Sequence, residues 1–255
     1  YCFVSEKNIQ ERIKISMLEV KNLTKNYAGR PVLKDISFSV GEHEIVALVG
    51  PSGCGKSTLL NLIAGINGNY EGNIENRAGK TGYIFQEDRI LPWLSVYDNI
   101  KVVRKKEDRK RILELIGKMH LSGFEQYYPE QLSGGMRQRC GIARAFYYGS
   151  RLLLMDEPFK SLDMNLRLEM LRILLELWET EEGSVIFVTH DIEEALMIAD
   201  RILVLKGCPA VLAEEIILPE RKNLRDPSEE ALRKARKKLL QWMEVKKTAI
   251  VRMAG

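Results

Sequence analysis

The chain has 255 residues and sets 39 Lys+Arg against 35 Asp+Glu, a formal net charge of only +4, which excludes a polycation built to coat nucleic acid. With 45% hydrophobic residues, 19 Gly and 8 Pro, the composition is globular, sized for one large domain or a core carrying a subdomain, and not that of a disordered chain. No run approaches the roughly 18 uninterrupted apolar residues that span a bilayer.

Residues 1–16 lack the basic-then-apolar order of a secretory signal and are read as an extension ahead of a start at Met17. From there Leu18, Val20 and Leu23, then Val32, Leu33, Ile36, Phe38 and Val40, alternate about a turn at Ala28–Pro31, the pattern of antiparallel strands. Glu44–Val49 is instead almost continuously apolar, as a strand buried on both faces of a parallel sheet must be, and a helix is expected over Ser57–Ala64. Further buried strands are expected at Gly82–Phe85, Leu152–Met155 and Ser184–Val188. Between Arg89 and Tyr148 helical periodicity takes over, in Val96–Val103, Lys110–Met119 and Ser133–Tyr148, so a helical subdomain (89–148) is expected inside an α/β core of parallel strands (17–88 and 149–218). Short strands return at Arg201–Leu205 and Val211–Ile217. Asp226, Pro227 and Glu229 read as an N-cap, a first-turn proline and a capping acid ahead of a last helix ending near Val245, before a tail 246–255. In that helix Ala231, Leu232, Ala235, Leu239, Trp242 and Met243 form an apolar stripe, which makes the basic run 233–238 its solvated face.

The four cysteines, Cys2, Cys54, Cys140 and Cys208, stand far apart without a C-x-x-C pair, against a zinc site and in keeping with a reducing, cytoplasmic setting. Gly50, Pro51, Ser52, Gly53, Cys54, Gly55, Lys56, Ser57 and Thr58 fit G-x-x-x-x-G-K-[ST] between an expected strand and helix. Glycines let consecutive N–H groups converge on a phosphate at a helix N-terminus, Lys56 reaches the β/γ-phosphates, and the Ser57 hydroxyl ligates Mg²⁺. The next carboxylates come from Leu152-Leu-Leu-Met-Asp156-Glu157. Asp156 at the strand end suits the Mg²⁺ shell, and Glu157, one residue on, suits a base that polarises water for in-line attack.

Leu132-Ser-Gly-Gly-Met-Arg-Gln-Arg139 resembles the signature of ATP-binding cassette (ABC) ATPases. Ser133 caps the following helix, and its N-terminus with Gly134 and Gly135 is a second anion-binding surface. The resemblance implies a head-to-tail homodimer in which each ATP lies between one loop and the partner's signature. It further implies that Gln86 ligates Mg²⁺ and the attacking water, that Ser161-Leu-Asp163 is the D-loop, and that His190 contacts the γ-phosphate and orients Glu157. Where the family often has Gly or Ala, this chain has Lys160-Ser161. Tyr27 resembles the aromatic that stacks on adenine, or is an ordinary strand tyrosine. His43 and His120 match no motif and are structural by default.

Among ABC proteins a transport subunit is favoured over a chromosome-maintenance or translation factor, because one cassette is present and the stretch from Gln86 to Leu132 is too short for a coiled-coil insertion. A kinase would need an acceptor site in place of Ser133–Gly135. Gln86–Ile100, Phe124–Pro129 and Leu218–Glu230 together resemble the nitrate/sulfonate/taurine importer branch. That resemblance implies two permease subunits, an extracytoplasmic solute-binding protein, no nucleic acid, and a place on the cytoplasmic face of the membrane. The segment Leu91-Pro-Trp93 either lines the groove for a permease helix or packs inside the helical subdomain.

Overall fold

The computed structural model describes residues 16–181, 183–219, 224–226 and 228–251, with 231 and 243–251 as backbone only. The expectations for 1–15, Pro227, 252–255 of the tail and the side chains of Ala231 and Met243 lie outside the described residues.

An apolar run can hide both of its faces only in the middle of a sheet, and β3 (Ile45–Val49) is buried along its whole length. Ile45, Ala47 and Val49 enter one hydrophobic cluster and Val46 and Leu48 the other, the period-2 alternation of a strand. β3 pairs in parallel with β7 (Ser184–Val188) on one side and β8 (Arg201–Gly207) on the other. β7 continues in parallel to β6 (Leu152–Asp156), and β6 to β5 (Thr81–Ile84). Beyond β8 the sheet turns antiparallel with β9 (Ala210–Ile217), which meets β2 (Arg30–Val40) at the single register pair Leu33↔Ala210. β1 (Leu18–Tyr27) lies antiparallel between β2 and β4 (Glu71–Asn76), completing one nine-stranded sheet ordered β4-β1-β2-β9-β8-β3-β7-β6-β5. The α/β class with parallel core strands, an N-terminal antiparallel part and inserted helices is therefore the one expected. β4 has no counterpart among the expected strands.

Helix α1 (Lys56–Ile63) drives Leu59, Leu60, Leu62 and Ile63 into the same cluster as Leu48, Leu154 and Ile186. Three helices fall between β5 and β6: α2 (Val96–Lys101), α3 (Arg109–Lys118) and α4 (Gly134–Tyr148). Each has a side-chain cap for its free N–H groups: Ser95 accepts from Asp98 N at 3.1 Å, Asp108 from Arg111 N at 3.0 Å, and Ser133 from Met136 N at 3.3 Å. After β6 come α5 (Met164–Thr180), α6 (Ile192–Ile198) and α7 (Glu230–Val251). The last starts later than its expected cap: Asp226 accepts from Ser228 N at 2.8 Å in a turn ahead of the helix. It also runs past Val245. Leu232, Ala235 and Leu239 are buried, Trp242 packs beside them under the Lys206 ammonium, and Arg233, Lys234 and Lys237 face solvent. The unassigned histidines have partners, His43 stacking on Trp178 with centroids 3.7 Å apart and His120 lying 2.9 Å from Glu169.

The loop from Leu91 to Ser95 is held by one side chain. Asn99, 0% exposed on α2, accepts from Leu91 N at 2.8 Å and donates to the carbonyls of Leu91, Leu94 and Ser95 at 3.1, 2.9 and 3.0 Å. That clamp leaves Trp93 69% exposed, so the indole does not pack inside the helical insertion. Asn99→Ala strands several buried backbone groups and should cost about 2–3 kcal/mol, lowering Tm by about 5–10 °C in calorimetry. Truncating half-exposed Leu113 in the same insertion should cost less than about 1 kcal/mol.

Candidate nucleotide site

Three strand ends meet side by side. Leu48 and Asp156 both stand opposite Val188 in the ladders. Glu157 N donates to Val188 O at 3.0 Å, and Thr189 N to Leu48 O at 3.3 Å. The chain segments that follow, from Gly50, from Asp156 and from Thr189, therefore leave the sheet together.

The Gly50–Thr58 loop is shaped by contacts that exclude side chains. A Cβ on Gly50 would lie 2.5 Å from Leu205 O, and one on Gly55, which has φ 107°, would lie 2.9 Å from Leu33 Cδ2. Only glycine fits at either place. Inside the loop Cys54 is buried and its N–H donates to Pro51 O at 3.3 Å. Lys56 is 6% exposed at the first turn of α1, and its ammonium donates to Gly50 O at 2.9 Å and Pro51 O at 3.0 Å. A cation held by two neutral carbonyls at a helix N-terminus is poised to exchange them for phosphate oxygens.

Asp156 is 6% exposed, and its Oδ1 has no hydrogen-bond partner among the described residues. Burial pushes its carboxyl above the usual range, and a hydrogen bond from Ser57 offsets only part of that. A buried carboxylate with a spare oxygen beside a serine hydroxyl is the donor set of a hard divalent cation, so Ser57 and Asp156 fit Mg²⁺. Gln86, the third expected ligand, is exposed on the loop leaving β5, one strand beyond β6.

Glu157 adopts the left-handed φ of 48°, which costs a non-glycine residue on the order of 1–3 kcal/mol and persists only where the surroundings enforce it. Its Oε1 lies 3.4 Å from His190 Nδ1 and its Oε2 2.7 Å from Lys160 Nζ. Burial pushes this carboxyl up, but the Lys160 ammonium paired with it, with His190, more than offsets that and holds the group below its ordinary value. The residues on either side of His190 are tied down. Thr189 Oγ1 donates to Glu194 Oε2 at 2.5 Å and accepts from Asp191 N at 3.0 Å, while Arg167 of α5 pairs with Asp191 at 2.9 Å and with Glu194 at 3.5 Å. Burial raises the Glu194 carboxyl despite the Thr189 hydrogen bond. Sequence reasoning did not find Lys160 as a contact of Glu157, nor the Thr189–Glu194–Arg167 brace. The legible signal was a threonine directly after the apolar run Val185–Val188, since a buried hydroxyl needs a partner.

The signature residues Ser133, Gly134 and Gly135 form the first turn of α4. Gly135 faces the loop after Glu157, where a Cβ would lie 3.2 Å from Leu162 Cδ2. The segment after Gln86 is lashed to the same helix, by Arg137 Nε to Asp88 Oδ2 at 2.7 Å and Arg144 Nη2 to Arg89 O at 2.8 Å. Asp163 caps α5, accepting from Leu166 N at 3.1 Å. Tyr27, at the end of β1, is 41% exposed, with the Lys25 ammonium 4.6 Å from its ring centre and Asn67 donating to its hydroxyl at 3.2 Å. The structure thus brings Gly50–Thr58, Asp156, Glu157 and His190 together, while Ser133–Gly135 belong to the helical insertion.

A family model described as ABC transporter matches residues 33–160. The chain belongs to the ABC transporter family. It is an ATP-binding ATPase that works with Mg²⁺. It is 40% identical over 215 residues to the aliphatic sulfonates import ATP-binding protein SsuB 1 of Pseudomonas savastanoi pv. phaseolicola, covering 83% of this chain and 91% of that one. Identity is also 40%, over 79% of this chain and 84% of the other, to the taurine import ATP-binding protein TauB of Yersinia pestis bv. Antiqua. Among solved structures, the dimeric post-hydrolysis state of the ATP-binding cassette MJ0796 bound to ADP and Pi superposes with a TM-score of 0.73 at 31% identity, over 80% of this chain and 100% of that one. These relatives support the transport reading over a non-transport ABC ATPase.

Because ionised Asp156 is disfavoured by its burial in the metal-free protein, Asp156→Asn should stabilise that state. Its Tm should rise by about 2–4 °C while the gain in Tm on adding Mg²⁺ and ATP shrinks, both read by thermal unfolding with and without ligand.

Proposed function

We propose that this ATPase is the energising subunit of an ABC importer for a small solute of the sulfonate, taurine or nitrate type. It acts as a head-to-tail homodimer on the cytoplasmic face of the membrane, with two permease subunits and an extracytoplasmic solute-binding protein. The observation that carries the reading is that one chain holds two phosphate-binding helix N-termini, α1 behind the Gly50–Thr58 loop and α4 behind Ser133, on different parts of the molecule. A single nucleotide that uses both is supplied with them by two chains. The names of the SsuB and TauB relatives support the solute class. Exposed Trp93, presented by the Asn99 clamp, suits the apolar anchor of a small interface with a membrane subunit. No helix among the described residues is long and apolar enough to cross a membrane, in keeping with separate permease subunits.

In this reading the Lys56 ammonium exchanges the carbonyls of Gly50 and Pro51 for β/γ-phosphate oxygens, and N–H groups of Gly53–Ser57 hold the remainder. Tyr27 offers its exposed ring to adenine. Ser57, Asp156 and Gln86 would hold Mg²⁺, which supplies charge neutralisation on the β- and γ-phosphates. Glu157 polarises the attacking water. His190, oriented by the Thr189–Glu194–Arg167 brace, contacts the γ-phosphate and aligns Glu157. Ser133, Gly134 and Gly135 of the partner close over the same phosphate, with Asp163 at the seam between subunits.

Glu157→Gln keeps the shape of the side chain and removes the base. ATP affinity should be unchanged and turnover should fall by about 10²-fold or more, measured by nucleotide binding and phosphate release. Wild-type turnover in this variant would remove Glu157 from the reaction. The solute class is tested with purified solute-binding protein of the same system: taurine or an alkanesulfonate should bind, and should stimulate ATP hydrolysis once the permease and this ATPase are present.

A further inference from the structure

We propose that Lys160 is a catch on the catalytic base: in the lone subunit its ammonium holds the Glu157 carboxylate away from water, restraining ATP hydrolysis until the loop 158–163 rearranges. The inference rests on Glu157 being the base. Its ground is geometric. Lys160 Nζ sits 2.7 Å from Glu157 Oε2, and His190 Nδ1 lies 3.4 Å from the other oxygen, so each carboxylate oxygen already faces a nitrogen. The two ends of the Lys160 pair differ in freedom. The Glu157 side chain is 14% exposed on a backbone fixed by Val188 O, whereas the Lys160 side chain is 47% exposed on a loop and can swing into solvent. A contact between a fixed base and a movable cation is one that can be released. The loop that carries Lys160 is also in touch with the signature, since Leu162 packs where a side chain on Gly135 would stand. Whatever engages the first turn of α4 therefore presses on the segment holding the catch. Lys160 is a positioning residue here, acting on water through Glu157.

A half-exposed ion pair is worth little, so its release should change rates modestly. In the full chain at saturating Mg²⁺ and ATP, Lys160→Ala should raise kcat for phosphate release roughly three- to fivefold, with KM for ATP within about twofold of the parent because binding runs through Lys56. Lys160→Arg, which restores a cation at the same place, should bring the rate back down towards wild type. In a Glu157→Gln background the Lys160→Ala gain should vanish. A Lys160→Ala rate that is unchanged or lower, with Glu157→Gln inactive, overturns the catch and leaves the base assignment standing. A gain that persists in the Glu157→Gln background overturns it too, by moving the effect of Lys160 elsewhere. Turnover by Glu157→Gln at the wild-type rate overturns the base assignment, and the catch with it.

Discussion

The register of three parallel strands is the constraint from which the site follows. β7 lies between β3 and β6 and pairs residue for residue with both, so Leu48, Val188 and Asp156 stand in one row. Two further backbone hydrogen bonds, from Glu157 to Val188 and from Thr189 to Leu48, carry that alignment past the strand ends. A slip of one residue in either ladder would turn the side chains of that strand to the opposite face. It would also separate the carboxylates from the Gly50–Thr58 loop. The register is secured by packing, because alternate residues of all three strands fill two different clusters and every position is buried.

Against that rigid frame the polar groups at the strand ends are held at a local cost. Asp156 is an acid buried beyond what its hydrogen bond repays, and Glu157 occupies a backbone conformation that few non-glycine residues adopt. Lys56 spends its ammonium on two loop carbonyls. Each is a local cost tolerated by a well-packed core. The segments that carry His190 and Gln86 are tied differently. The neighbours of His190 are held, Thr189 by a buried hydrogen bond to Glu194 of α6 and Asp191 by Arg167 of α5, whereas the segment after Gln86 is lashed to the signature helix by Arg137 and Arg144.

What was legible in the sequence follows from the same physics. β3, β6 and β7 could be read because a strand buried on both faces leaves an unbroken apolar run. The glycines, Lys56, Ser57, Asp156 and Glu157 could be placed at one end of the sheet because the loop and the two acids come at the ends of such strands. β4 could not: Glu71-Gly-Asn-Ile-Glu-Asn is an edge strand with five polar or glycine residues, and pairing with β1 is set by backbone bonds rather than by a pattern of side chains. The start of α7 was read from a capping motif that instead closes a turn, because Asp226 and Glu229 satisfy local N–H groups in either setting. Lys160 was visible as a departure from the family at one position, but its partner was not. Contacts of long side chains across a loop are decided by backbone dihedrals that spacing does not encode.

The central claim is that the two phosphate-binding helix ends act on one nucleotide only when contributed by two chains. Sedimentation of the Glu157→Gln chain with Mg²⁺ and ATP, beside the same chain carrying Ser133→Arg, tests it most directly. The account predicts an ATP-dependent dimer for the first and, for the second, a monomer that still binds one ATP. A Ser133→Arg chain that dimerises on ATP as readily as its parent would contradict it.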